Sequence, residues 1–202
     1  MRQDNTTIST TLRDGTPVLV RQVRPEDKKF LELGMSRLSS ETRYYRFHTA
    51  KPALTRAELE AFTEIDHVNH DAWGAVDVSG DVPQPAGVAR YVRLPGDDNA
   101  ADVAITVVDD YQGRGLGSIL LGVIASRAAE NGIERFRSCE VWGNQRLFDL
   151  IAGLDATQHF LGAGEVEVDF PLHRDASLYP DTVAGHIMRR GERLLTESRT
   201  AG

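Results

Sequence analysis

The most constraining feature of this sequence is a glycine-rich turn at residues 109–118, which lies between two segments of different periodicity. Before it, apolar residues alternate with small or polar ones from 102 to 107, the pattern of a half-buried strand. After it, apolar residues recur at helical spacing from 116 to 128, and Asn131-Gly132 is a helix stop signal. The N–H groups at the start of such a helix lack acceptors and carry the positive end of its dipole. The segment therefore predicts an anion-binding loop.

The spacing of the glycines distinguishes this loop from two other phosphate-binding loops. A P-loop has a lysine directly after its last glycine, but here Gly117 is followed by Ser118. A dinucleotide-binding fingerprint has glycines at its first, third and sixth positions, and no count along this loop gives that pattern. Glycines accept positive φ and let a phosphate approach the backbone, and an arginine adds a mobile cation. The residues that the loop offers to an anion are Gln112, Gly113, Arg114, Gly115, Gly117 and Ser118.

Length and charge limit the classes of function. The chain has 202 residues, of which 41% are hydrophobic, enough for one sizeable core. Its net charge of −7 argues against nucleic acid as a partner, because phosphate neutralisation needs a basic surface. A cationic amine or a lysine-bearing protein is better matched. No segment has the pattern of a signal peptide or a membrane span, and the single cysteine is typical of a reducing compartment. These features predict a cytoplasmic protein without a membrane partner.

Periodicity predicts an α/β (α+β) protein with a mixed and mostly antiparallel central sheet flanked by helices. Three strands joined by short turns precede the glycine-rich loop, and this antiparallel order excludes repeated βαβ units. We expect a flexible N-terminus over 1–11, one domain over 12–172, and a C-terminal tail over 173–202 with a weak helical stripe of Val183, Ile187 and Leu194. The predicted strands are 18–23, 72–78, 88–92, 101–108, 135–141 and 166–172, and the other helices begin near Pro25, Ser39 or Ser40, Thr55 and Asn144.

The loop and its surroundings resemble a known family. Gln112-x-x-Gly115-x-Gly117, with its strand and helix, resembles the acetyl-CoA loop of the GNAT acetyltransferase superfamily. Four further segments are similar to the GNAT domain of bacterial Pat-type protein lysine acetyltransferases: 12–15 (LRDG), 24–27 (RPED), 38–47 (LSSETRYYRF) and 87–91 (GVARY). The resemblance implies a GNAT fold, acetyl-CoA as the acyl donor, and direct transfer of the acetyl group to a primary amine. The acceptor that it implies first is a protein lysine, with a small-molecule amine as the alternative.

Acetyl transfer to an amine requires a base, because a lysine ammonium has a pKa near 10.4. Asp102 is the candidate, since it shares a strand face with Ala104 and Thr106, which leave room for a substrate. The resemblance implies the same role, because the catalytic glutamate of Pat-type domains occupies this position. The shorter aspartate favours a relay through one water. A solvated carboxylate without a catalytic role is the alternative. The resemblance also implies cofactor contacts from Val107, Val108 and Asn144, with a backbone N–H near Val107 polarising the thioester carbonyl.

Other interpretations carry less weight. Two histidines and two aspartates lie within 66–71, but a metal site needs a third or fourth convergent ligand, so we expect a loop and no metal. Cys139 lies in a predicted strand without an evident histidine partner, which favours a packing role over that of a nucleophile. Two non-catalytic classes stay open. One is a silent acyl-CoA-binding regulatory module, and the other is an interaction protein whose tail after His173 binds a partner or forms a homodimer.

Overall fold

The glycine-rich loop lies where the sequence predicts it, between strand β5 (Asp97–Val107) and helix α4 (Leu116–Glu130) of a computed structural model that describes residues 6–200. Asn131 ends α4, and Gly132 follows with a φ of +80°. Positive φ at this position is the usual way to end a helix. The other helices are α1 (Lys28–Ser36), α2 (Ser40–Phe47), α3 (Arg56–Thr63), α5 (Gln145–Ile151) and α6 (Val183–Thr200). None of the helices in residues 6–200 is long and apolar enough to cross a membrane.

One sheet of eight strands organises these helices. The strands lie in the spatial order β1-β2-β3-β4-β5-β6-β8-β7, and every neighbouring pair is antiparallel except β5 and β6. The predicted antiparallel arrangement of the three strands before the loop is confirmed. The remaining strands are β1 (Thr7–Thr11), β2 (Pro17–Gln22), β3 (His70–Asp77), β4 (Gln84–Leu94), β6 (Arg135–Val141), β7 (Thr157–Gly162) and β8 (Glu165–Pro171).

The backbone pairing of the sheet is interrupted between the parallel strands β5 and β6. The two strands are in register at Ala100 with Arg135 and at Ala101 with Phe136, and no further pairing follows toward the glycine-rich loop. Beyond this point the hydroxyl of Ser138 lies between the strands, where it accepts the N–H of Val103 at 3.0 Å. A side chain thus takes the place of a backbone partner. A gap between β5 and β6 therefore begins beside Asp102 and widens toward the loop.

Helices cover both faces of the sheet. Helix α4 packs on β3, β4 and β5, and α6 packs on α4. Ten of the residues of α4 are buried, which identifies it as the central helix of the core. Helices α1 to α3 cover the opposite face, where α1 contacts β4 and α2 contacts β5. Consequently, the face of β5 that carries Asp102 lies under α2.

Two expectations about the chain ends need correction. The flexible N-terminus predicted over 1–11 is wrong for Thr7–Thr11, which forms β1 and pairs with β2 while Ile8 is fully buried. The prediction for residues 1–5 falls outside the described residues. The tail is helical, but its buried side includes Ala184, Met188 and Leu195, whereas Val183 is 75% exposed. Ile187 and Leu194 are partly buried and pack against the core, so the predicted stripe is confirmed for these two residues and wrong for Val183.

Helix α6 is held close to α4 by two glycines. A Cβ added to Gly191 would lie 2.0 Å from the carbonyl carbon of Gly122, and one added to Gly122 would lie 2.5 Å from the carbonyl oxygen of Ile187. The two backbones therefore touch, which only glycine permits. The apolar side of α6 is used within the chain, so the tail is an integral part of this fold. A homodimer stays a prediction.

Candidate active site

The backbone of the glycine-rich loop has the conformation of an anion-binding turn. Gly113 and Gly115 have φ values of +72° and +90°, which side chains other than glycine rarely adopt. Gly115 is the N-cap of α4, so the N–H groups of residues 116–118 have no acceptor within the helix. Gly117 has room for a side chain within the protein, since an added Cβ would lie 3.7 Å from Leu150. That Cβ would, however, occupy the cleft that Gly117 lines.

Side chains hold this loop in place from two directions. Gln112 donates through Nε2 to the carbonyl oxygen of Val107 at 3.0 Å and to Thr42 Oγ1 at 3.1 Å. On the other side, the N–H of Arg13 donates to the carbonyl oxygen of Arg114 at 2.9 Å. The loop is thus fixed between α2 and the turn that follows β1. Such a preorganised cradle binds an anion without having to order its own backbone.

A single cleft of about 1190 Å³ runs from the loop into the gap between β5 and β6. Helix α2 forms one wall, while α5 and α6 form another. The structure brings together most of the predicted site residues here, from Asp102 at one end to the loop at the other. Those that line the cleft are Asp102, Val107, Gln112, Gly113, Gly115, Gly117, Ser118 and Asn144.

Two predicted cofactor residues do not line the cleft. Arg114 forms an ion pair with Asp14 at 3.0 Å and lies over the ring of Tyr111. Val108 is only 3% exposed, and its N–H donates to the carbonyl oxygen of Ala86 at 2.9 Å. Because N–H directions alternate along a strand, the N–H of Val107 points away from β4 and toward the gap. The backbone donor that faces the cleft is therefore that of Val107.

The loop end of the cleft carries cations that the sequence analysis missed. Arg13 lies beside Gly115, and Arg146 of α5 donates to Gln112 Oε1. His186 and Arg190 are four residues apart on one side of α6 and line the same region. Their spacing was visible in the sequence, but it points to this site only once α6 is known to pack on α4. These groups and the helix N-terminus suit a ligand with several phosphate groups, as acetyl-CoA has.

The opposite end of the cleft carries two carboxylates. Asp102 accepts a hydrogen bond of 2.8 Å from Ser138 Oγ, and Glu140 accepts one of 3.1 Å from Asn144 Nδ2. Burial raises the pKa of Asp102, while the Ser138 hydrogen bond and the charge of Arg46 act in the opposite direction. Burial, reinforced by the charge of Asp102, raises the pKa of Glu140 to about 7. The two groups share one electrostatic environment, and one of them titrates near neutrality.

Sequence reasoning did not identify Glu140, because an acidic residue in a strand of alternating pattern is usually a solvated one. Only the divergence of β5 from β6 turns it toward Asp102. Asn144 begins α5 as predicted, since its side chain accepts the N–H of Leu147 at 3.4 Å, and it also positions Glu140. The packing role expected for Cys139 is wrong, because the residue is exposed and lines the cleft. Partial desolvation within the cleft and the neighbouring acidic groups raise the pKa of its thiol.

The histidine and aspartate segment 66–71 has a structural role away from the cleft. Asp66 accepts the N–H groups of Val68, Asn69 and His70, which fixes the loop. Asp71 is fully buried, lies 2.8 Å from His67 Nδ1 at hydrogen-bond distance, and forms an ion pair with Arg127 at 3.2 Å. Within residues 6–200, no three His, Cys, Asp or Glu side chains converge as ligands of a metal ion.

Together, these groups could support acyl transfer between two substrates. One end of the cleft is suited to an anion, the other to a cation and to proton exchange, and a backbone donor lies between them. The small side chains of Ala104 and Thr106 on β5 leave space along the same face. An elongated donor with phosphates at one end and a reactive carbonyl at the other matches this arrangement.

Comparison with known proteins gives consistent results. Acetyltransferase Pat of Mycolicibacterium smegmatis is 36% identical over 168 residues, which are 82% of this chain and 50% of Pat. Acetyltransferase PA5475 of Pseudomonas aeruginosa is 30% identical over 143 residues, 71% of this chain and 76% of that protein. The crystal structure of the GNAT domain of S. lividans PAT superposes with a TM-score of 0.73 at 29% identity, covering 82% of this chain and 97% of that domain.

The chain thus spans about half the length of M. smegmatis Pat and nearly all of the S. lividans GNAT domain. The predicted fold class, a mixed sheet flanked by helices, is confirmed by this superposition. Residues 35–151, which include the glycine-rich loop and both cleft carboxylates, match the acetyltransferase (GNAT) family, and the chain belongs to that family.

Proposed function

We propose that this chain is an acetyl-CoA-dependent N-acetyltransferase that transfers an acetyl group directly to a primary amine, with a protein lysine as its acceptor. The observation that carries the proposal is one continuous cleft with an anion-binding loop at one end and paired carboxylates at the other. Family membership supports the same reaction. Two substrates that enter one cleft from opposite ends can react in a ternary complex, without a covalent enzyme intermediate.

The residues of the loop end would hold the phosphates of acetyl-CoA, which when bound supplies the acetyl thioester. The N–H groups at the start of α4 are directed at this region, and Arg13, Arg146 and Arg190 add positive charge. Gly117 leaves room for a close approach to the backbone. The N–H of Val107 is the donor that would stabilise negative charge on the thioester oxygen, in the manner of an oxyanion hole.

The carboxylates would receive the amine. An ammonium group entering between β5 and β6 is attracted by Asp102 and Glu140, and it must lose a proton before it can attack the carbonyl carbon. We assign the role of general base to Asp102, directly or through one water, because it lies on the strand that also carries Val107. Ser138 Oγ orients this carboxylate. Glu140, with its pKa of about 7, supplies the second negative charge above neutral pH.

A protein lysine fits the acidic end of the cleft because that end is accessible. Asp102 lines the cleft, so a side chain with four methylene groups could reach it from the surface of another protein. The resemblance of segments 12–15, 24–27, 38–47 and 87–91 to Pat-type protein lysine acetyltransferases supports this acceptor class. A cytoplasmic location, proposed from the single cysteine, would place the chain where both substrates occur.

The test is release of CoA thiol from acetyl-CoA in the presence of acyl-CoA synthetases, lysine peptides and small amines. We expect turnover with at least one protein or peptide acceptor and acetylation of lysine detectable by mass spectrometry. Turnover with small amines alone would reassign the acceptor. Binding of acetyl-CoA without turnover on any acceptor would contradict an enzymatic role and leave a silent acyl-CoA-binding module.

A further inference from the structure

Two arginines lie beside the acidic end of the cleft. Arg90 of β4 is only 6% exposed, and Arg46 of α2 is half-buried. Among the residues that the structure describes, neither forms an ion pair with a carboxylate. The contacts of Arg90 are the ring of Phe62, 4.1 Å from its guanidinium carbon, and His70 Nε2 at 3.4 Å. Burial of an unpaired cation lowers the stability of a fold, so its presence here points to a function.

Neither neighbour of Arg90 supplies negative charge. Burial and the charge of Arg90 lower the pKa of His70 to about 4, so this imidazole is neutral under ordinary conditions. Burial and the nearby charge of Arg46 lower the pKa of Arg90 to about 9, so the guanidinium still carries its proton at pH 7. Burial likewise lowers the pKa of Arg46, against the attraction of Asp102 and Glu140. Two positive groups thus repel each other in a poorly solvated space.

The register of the sheet places these arginines on the acceptor side. Arg90 pairs with Ala104, and Val92 pairs with Asp102, so Arg90 and Asp102 project from the same face of adjacent strands. Diagonal neighbours of this kind lie about 7–8 Å apart. Arg46 lines both the main cleft and a smaller cavity of about 90 Å³ that Arg90 also lines. It therefore stands between the carboxylates and Arg90.

We propose that Arg46 and Arg90 bind a carboxylate carried by the acceptor, while its amino group lies at Asp102 and Glu140. The planar guanidinium fork matches a carboxylate, and the small cavity, with the Phe47 and Phe62 rings in its wall, admits a compact group. The inference rests on the proposed function, because it assumes that the amine end of the acceptor enters beside Asp102. The carboxylate has two sources: an acidic residue next to the acceptor lysine, or the acid group of a free amino acid.

Matched acceptors test the inference and separate the two sources. One pair is a lysine peptide with Glu or Gln beside the lysine, and the other is 5-aminopentanoate with 5-aminopentanamide. We expect kcat/KM for the carboxylate-bearing member of one pair to exceed that of its amide partner by about 10- to 100-fold. The pair that shows the preference identifies the source. Equal kcat/KM within both pairs would overturn the inference while leaving the proposed acetyl transfer intact.

Variants connect that preference to the two arginines. Arg46→Gln and Arg90→Met should each reduce the ratio of kcat/KM for the carboxylate-bearing acceptor to kcat/KM for its amide partner to near one. The matched control is Arg56→Gln, because Arg56 is 93% exposed on α3 and should leave the ratio unchanged. A preference that survives in both folded variants would overturn the inference. Since Arg46 is half-buried, its variant remains informative even if Arg90→Met does not fold.

A binding measurement without turnover separates this inference from the proposed function. Calorimetry with sodium glutarate should show binding to the wild-type chain and a loss of at least tenfold in affinity in Arg46→Gln. If no amine is acetylated but glutarate binds in this way, the anion site stands and the proposed function fails. If inorganic phosphate binds at the two arginines and glutarate does not, the assignment of a carboxylate is overturned.

Discussion

Removal of Asp102 as a base is the sharpest test of the proposed mechanism. Asp102→Asn keeps the shape of the side chain and its contact with Ser138 but cannot accept a proton. We expect turnover at pH 7 to fall by about 100-fold or more, within the usual span for loss of a general base. Affinity for acetyl-CoA should change little, because the loop lies at the other end of the cleft.

The pH dependence of this loss distinguishes base catalysis from a structural effect. A lysine amine becomes abundant in its free form toward its pKa of about 10.4, so the deficit of Asp102→Asn should shrink between pH 9 and 10. Loss of the Asp102 charge also lowers the pKa of Glu140, because that charge contributes to its elevation. The acid limb of the pH profile should therefore move to lower pH in this variant.

Glu140 provides the complementary perturbation. With a pKa of about 7, its carboxyl is about 10% ionised at pH 6 and about 90% at pH 8. If its charge helps to bind the ammonium form of the acceptor, kcat/KM for the wild type rises through this range. In Glu140→Gln we expect that rise to disappear and kcat/KM at pH 8 to fall by about tenfold, the effect of one charge-assisted contact.

The assay is CoA-thiol release between pH 5.5 and 9.5 with an acceptor from the proposed panel that supports turnover, together with calorimetry of acetyl-CoA. Glu60→Gln on the surface of α3 is the matched carboxylate control and should retain the wild-type profile. Equal turnover of wild type and Asp102→Asn across the range would remove Asp102 from the mechanism. A hundredfold loss in Glu140→Gln, with none in Asp102→Asn, would instead identify Glu140 as the base.

Three further perturbations test the loop, the packing of α6 and the burial of Glu140. Gly115→Val should weaken acetyl-CoA binding about 10- to 100-fold in calorimetry, because φ is +90° at this position. Arg114→Ala should lower the binding free energy by at most about 1 kcal/mol. Equal effects of the two substitutions would contradict the role of the loop backbone in binding. Gly191→Ala should lower the free energy of unfolding by about 1–3 kcal/mol and Tm by about 2–12 °C. Gly34→Ala is the control: its Cβ would lie 3.6 Å from Pro85, so it should not lower Tm. Glu140→Gln should raise Tm at pH 8 but not at pH 4. The folded chain binds the proton of the Glu140 carboxyl more tightly than the unfolded chain, so the wild type loses stability as pH rises from about 4.5 to 7. An unchanged Tm at pH 8 would contradict the burial of Glu140.

Local signals in the sequence were reliable where the structure depends on neighbouring residues. Ser39 and Thr55 cap α2 and α3 as predicted, through hydrogen bonds to N–H groups three residues later. The glycine-rich loop was identified for the same reason, since strand, turn and helix follow one another along the chain. These features need no information about distant elements.

What the sequence did not reveal depends on contacts between distant segments. Strand β1 has one buried apolar residue, Ile8, which is too little for a periodic pattern. Glu140 and Arg190 belong to the site only because β5 diverges from β6 and because α6 lies against α4. The burial of Arg90 likewise depends on a distant element, because the Phe62 ring of α3 covers it.

The contact between Gly122 and Gly191 has a consequence for the order in which the protein matures. Synthesis delivers α6 after the eight strands of the sheet and the glycine-rich loop, so one wall of the cleft and part of the core are missing until α6 docks on α4. Docking of α6 then completes the cation-lined region. A ligand that binds only the completed cleft favours that docking by mass action. Under the proposed function, the cellular supply of acetyl-CoA would therefore help to determine how much of the protein reaches its final form.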